Sequence, residues 1–150
     1  MDYHQQLMPN HTYHLFSRAV GNEKLFLVSE NYLFFLQKLK HHTSSSCKIY
    51  CYSLLPNHFH LMVKIGDEAT IIKHFEDVKK VGFQHLQHDI CDFIMERFSN
   101  LLNSYTKAFN KMHKRKGALS WTTLSGVKLP NQKISPTIFG IFTKMQFIIN

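Results

Sequence analysis

Two histidines flanking a single apolar residue, His58-Phe59-His60, follow a Pro56-Asn57 pair and lead into the apolar run Leu61-Met62-Val63. Side chains alternate across an extended strand, so both imidazoles project to one side, about 7 Å apart along the chain. Phe59, Leu61, Val63 and Ile65 then bury the other side. Two neutral imidazoles can close on one divalent ion and leave its other positions open. Such a donor set suits polarising a phosphate oxygen. A second reactive group is Tyr105, in Asn103-Ser104-Tyr105-Thr106-Lys107. A phenol oxygen can attack a phosphodiester and hold the phosphate covalently. Neither signal stands alone. In a chain with 11 histidines about one His-x-His pair arises from composition, and a tyrosine among Leu and Phe at helical spacing is ordinarily core. The setting adds weight: a turn before the pair, an apolar strand on either side and a basic helix downstream.

The elements that must position these groups follow from periodicity. His11 to Val20 alternates as a first strand, with Tyr13, Leu15 and Ser17 on one side and His14, Phe16 and Arg18 on the other. Gly21-Asn22 turns the chain. Ser29 is the expected cap of a helix reaching about His41, with Tyr32, Leu33, Leu36 and Leu39 at helical spacing. Cys47 to Leu55 reads as a strand that Pro56-Asn57 folds back onto the histidine strand, giving an antiparallel hairpin. On that strand Cys47 and Cys51 are expected to share a face. A second helix is expected from Thr70 to about Val81 and a longer one from the cap Asp89 to about Met112. In the latter, Phe98, Leu101, Leu102, Tyr105, Ala108, Phe109 and Met112 form one stripe. The order strand, helix, strand, strand, helix, helix predicts an α+β chain: a ferredoxin-like antiparallel sheet with helices packed on one face.

Composition narrows the class. A chain of 150 residues with 44% apolar content can bury one real core. Three cysteines, an odd number without C-x-x-C spacing, predict buried thiols in a reducing compartment rather than a disulfide framework or a zinc knot. No secretory signal is expected in the polar stretch Met1 to Asn10. The apolar stretch Ile138 to Ile149 is too short for a membrane span and is broken by Gly140 and Lys144. The net charge of +8 is segregated: from Arg97 onward there are nine Lys and Arg residues, and all ten acids lie before that point. One-sided positive charge favours a polyanion, with nucleic acid first.

At three blocks the chain resembles the single-tyrosine HUH transposases, and among them the REP-associated tyrosine transposases. The blocks are Tyr13-His14-Leu15-Phe16-Ser17-Arg18, then Leu55-Pro56-Asn57-His58-Phe59-His60-Leu61, and finally Asn103 to Asn110 with His113-Lys114-Arg115-Lys116-Gly117. The resemblance covers roughly residues 9 to 118. It implies metal ligation of Mg²⁺ or Mn²⁺ by His58 and His60 and a Tyr105 nucleophile. It also implies nicking and rejoining of single-stranded hairpin DNA through a 5′-phosphotyrosine. Related nucleases can place a polar third ligand one turn beyond the tyrosine. Here that position is Phe109, and Asn110 is the candidate. Arg18, Lys107, Lys111, Lys114, Arg115 and Lys116 are the expected DNA contacts. After Leu119 the sequence departs from the family, so residues 1–119 are expected to form the nuclease-like domain. Residues 120–150 are expected to be an atypical tail, degenerate or frame-shifted. A cytoplasmic, nucleoid-associated protein without a membrane contact is expected, and a homodimer fits the class. The alternative is a non-catalytic single-stranded nucleic-acid binder whose RRM-like sheet stacks bases on Phe16, Tyr50, Tyr52 or Phe59, although no RNP-type string is present.

Overall fold

A computed structural model describes residues 6–119 and 124–130, and the backbone of 146–147. The elements are β1 (Thr12–Arg18), α1 (Ser29–Thr43), β2 (Cys47–Leu55), β3 (His58–Ile65), α2 (Glu68–Lys79), α3 (Ile90–Met112), β4 (Ser125–Lys128) and β5 (Gln146–Phe147). The strands lie in the order β4-β1-β3-β2-β5, and every pairing is antiparallel. The first four reproduce the ferredoxin-like arrangement, with α2 and α3 together filling the second helical slot. β5 lengthens the sheet beyond β2. β4 and β5 both come from the segment after Leu119.

Local chemistry sets the helix ends. Asp67 caps α2 by accepting from the Thr70 N–H at 2.8 Å, which starts that helix before the expected Thr70. Lys80 ends it in the left-handed region at φ 59°. Asp89 caps α3 as expected, accepting from the Asp92 N–H at 3.0 Å. α1 departs from expectation. Its cap is Val28, not Ser29, and the Asn31 side chain turns back to accept from the Leu27 and Val28 N–H groups at 3.0 and 3.2 Å. That satisfies the N–H of the cap residue from inside the helix, the reciprocal half of a capping box, in which the third helical side chain reaches back to the N-cap backbone.

All three helices cover one face of the sheet. There Tyr13 and Leu15 of β1 meet Phe59, Leu61, Val63 and Ile65 of β3, Phe35 and Leu39 of α1, Ile71 and Phe75 of α2, and Phe98, Leu101 and Phe109 of α3. Each fully buried aliphatic or aromatic side chain contributes about 1.5–3 kcal/mol, so this alternation fixes the register of β3 and with it the direction in which His58 and His60 point. Among the described residues the open face carries a small buried cluster of Cys51, Met62 and Leu129. The expectation that Cys47 and Cys51 share a face is corrected here. The β2–β3 register shifts between Ile49 and Cys51, and the extra residue turns Cys47 toward the helices and Cys51 toward the open side. β4 packs closely because Gly126 lies opposite Leu15; a Cβ there would stand 2.9 Å from Leu15 Cδ2.

Candidate functional site on the open face of the sheet

Antiparallel pairing places residues from four strands in rows on the open face. Arg18 lies opposite His58, Phe16 opposite His60, and Ser53 and Ser125 flank that second row. The rows form a cavity of about 410 Å³ lined by Phe16, Ser17, Arg18, Asn57, His58, His60 and Ser125. The turn that delivers β3 closes one end, where Asn57 accepts at its carbonyl from the Ala19 N–H.

The two histidine rings stand edge to face with centroids 5.1 Å apart, and each has its Nδ1 engaged. His58 Nδ1 donates to Asn57 Oδ1 at 2.7 Å. His60 Nδ1 lies 2.8 Å from Nε2 of His14, with the two rings stacked at 5.0 Å. When His60 is the donor in that bond, both β3 histidines offer Nε2 lone pairs, the tautomer that metal ligation needs. Burial lowers the pKa of both, reinforced by the Arg18 charge at His58 and by His58 at His60. Burial, then His60, lowers His14 to about 4. All three rings are neutral at pH 7. The pair fits a divalent ion at two points. Among the described residues no cluster of three or more His, Cys, Asp or Glu side chains could hold one.

The remaining expected site residues are elsewhere. Tyr105 is 3% exposed on the helix-covered side; its ring meets Phe35 at right angles, and Phe35 in turn packs on Phe59. Its hydroxyl donates to the Leu25 carbonyl at 2.5 Å. Burial, with Tyr32 nearby, raises its pKa, so the phenol is protonated at neutral pH. The ring also borders an apolar groove between α1 and α3 with Phe34, Phe109 and Met112. Asn110 does not join the histidines: its amide donates to the Gly117 carbonyl at 2.9 Å and its Oδ1 accepts from Arg115 at 2.9 Å. Arg115 is a brace, bonded also to the Gly117 and Ala118 carbonyls and 3.1 Å from Glu23. Lys107, Lys111, Lys114 and Lys116 are exposed. The loop after α3 returns to the Arg18 end of β1, where the Val20 N–H donates to the Leu119 carbonyl. That brings Lys114 and Lys116 toward the end of the sheet where the histidine turn sits.

His14, Asn57 and Ser125 are site residues that sequence reasoning left out. Alternation put His14 beside Phe16 and Arg18, but only the β1–β3 register, Phe16 against His60, brings it to His60. Of the aromatics considered as a base platform, Phe16 stands on the open face, while Tyr52 and Phe59 pack with the main core.

No family model and no curated protein matches the chain. Among solved structures it is similar to that of a REP-associated tyrosine transposase bound to a REP hairpin, at a TM-score of 0.57 and 10% sequence identity. The match covers 88% of this chain and 64% of the other. The present chain thus spans under two thirds of that protein. Among the described residues no helix is long and apolar enough to cross a membrane. The likeness shows the fold alone: a solved tyrosine transposase adopts a similar chain trace.

Proposed function

We propose that this chain binds folded single-stranded DNA on the open face of its sheet, with His58 and His60 holding Mg²⁺ or Mn²⁺ against a backbone phosphate. One observation carries the reading: both imidazoles have Nδ1 engaged, by Asn57 and by His14, and line a cavity that Arg18 makes positive. The ion supplies Lewis-acid stabilisation of phosphate charge. Arg18 pairs with a neighbouring phosphate. The exposed lysines of 107–116 extend the positive surface around the end of the sheet. The fold shared with a hairpin-bound transposase supports DNA as the polyanion.

The finer reading is transposase-like nicking and rejoining by Tyr105. The Tyr105 Oη–phosphorus bond forms as the phosphorus–O3′ bond breaks. The phenolic proton passes to the departing 3′ oxygen, leaving a 5′-phosphotyrosine and a free 3′-hydroxyl. In that reaction Tyr105 leaves the Leu25 carbonyl and reaches the histidine side, by movement of α3 or from a second copy of the chain. A second reading, binding without cutting, is favoured by the buried, hydrogen-bonded state of that hydroxyl. Incubating the protein with Mn²⁺ and end-labelled hairpin single strands separates the two. Nicking yields an adduct that survives denaturation; binding alone yields a salt-sensitive complex and no adduct. Absence of any hairpin complex refutes both.

A further inference from the structure

We propose that Phe16 is the stacking platform for one unpaired nucleobase, so that the cavity beside the histidine pair is a single-nucleotide subsite; this rests on the DNA-binding reading above. β1 alternates, and its other large apolar residues, Tyr13 and Leu15, point into the core at 0% and 1% exposure. Phe16 is the exception: a large aromatic on the polar side, half-buried and lining the cavity. Among the described residues it is not one of those packed against the main core cluster. It stands 5.2 Å from His14 and 6.0 Å from His60, tilted by 35° and 34° from each, so the three rings form a shallow shelf.

An accessible aromatic face beside a cation is the chemistry that holds a nucleobase next to its own phosphate. Ser125, directly across from Phe16, and Asn57 at the other end of the cavity supply hydrogen-bonding groups for a base edge. A volume of about 410 Å³ lies in the range of small-ligand sites. A base inside a duplex is stacked on both sides and cannot offer its face to Phe16, so this subsite selects unpaired nucleotides. Hairpin DNA with a single-stranded flank satisfies both halves of the site: the flank enters the cavity while the paired stem stays outside it.

The test scans 2-aminopurine through the unpaired flank of a hairpin, one position at a time, with Mn²⁺ present. The parent protein should quench the probe at one or two adjacent positions. Phe16→Leu should abolish that quench and weaken flanked-hairpin binding by roughly 5- to 150-fold, the range of one base–aromatic stack. Its affinity for a blunt duplex of equal length should not change. Phe16→Trp should keep both quench and affinity, which guards against a folding artefact. If the parent binds flanked hairpins but Phe16→Leu binds and quenches equally well, the subsite is overturned while the DNA-binding reading stands. If the parent binds no hairpin at all, both fall.

Discussion

Replacing Tyr105 with Phe removes one oxygen from a packed site, and the structure fixes what that oxygen does before any DNA arrives. The phenol donates to the Leu25 carbonyl at 2.5 Å, and the ring, 3% exposed, meets Phe26, Phe35 and Phe109. The ring contacts survive in Phe, so no cavity opens; Tyr105→Ala, by contrast, should cost about 3–5 kcal/mol. The hydrogen bond contributes a net ~0.5–1.5 kcal/mol, and a buried carbonyl left without its donor raises the loss toward the upper end. Tyr105→Phe should therefore destabilise the free protein by about 1–2 kcal/mol, a fall in Tm of roughly 2–8 °C for a domain this size. Urea unfolding and calorimetry read it directly. A Tyr105→Phe protein as stable as the parent would refute the description of this hydroxyl as a structural donor. In the trapping assay the same variant should bind flanked hairpins and form no covalent adduct, because only the attacking oxygen is gone. If the parent forms an adduct that maps by peptide sequencing to Tyr13, Tyr32, Tyr50 or Tyr52, the nucleophile assignment fails.

Other expectations follow from the same geometry. His14→Phe should weaken Mn²⁺ binding by about 10-fold or more with little change in fold, since it leaves His60 Nδ1 without its partner; calorimetry checks this, and unchanged affinity removes His14 from the site. Lys107, Lys111 and Lys114 changed together to Gln should lower single-strand affinity regardless of sequence and reduce the slope of log affinity against log salt by roughly 2–3. Arg115→Gln should instead cost about 1–3 kcal/mol of stability, because it unties Asn110, Gly117, Ala118 and Glu23. His42, whose pKa burial, then His41, Arg97 and Lys38, lowers to about 4, is neutral in the fold but gains a proton below about 6.5 when unfolded. Stability should thus fall as pH drops from 6.5 toward 4, and His42→Asn should flatten that slope in pH-dependent melting.

The histidine pair, the hairpin that carries it and the long tyrosine helix were legible because each rests on short-range pattern: alternation, a Pro-Asn turn, a 3.6-residue stripe and an Asp cap. Register was not. Which β1 residue faces His60 depends on how two strands slide together, and that is set by the buried row of Tyr13, Leu15, Leu61 and Val63. His14 entered the site only through that row. The Cys47–Cys51 error has the same origin, because a one-residue bulge inverts alternation without leaving a mark in composition. Charge misled differently. Arg97 and Arg115 counted toward a basic surface, yet their side chains are only 11% and 17% exposed, Arg97 lying over the Phe93 ring and Arg115 bracing the end of α3. Four residues of β4, one of them Gly126, are too few to announce a strand; they form one because the edge of β1 supplies the hydrogen-bonding partners and Leu15 the surface.

In the proposed function DNA and metal meet on the open face at His58 and His60. Fluorescence anisotropy of a labelled flanked hairpin, titrated with and without Mn²⁺, tests it on the parent and on the His58→Ala/His60→Ala variant, with circular dichroism confirming the fold. Mn²⁺ should tighten hairpin binding by the parent and have no effect on the variant. An equal Mn²⁺-dependent gain in both proteins would contradict it.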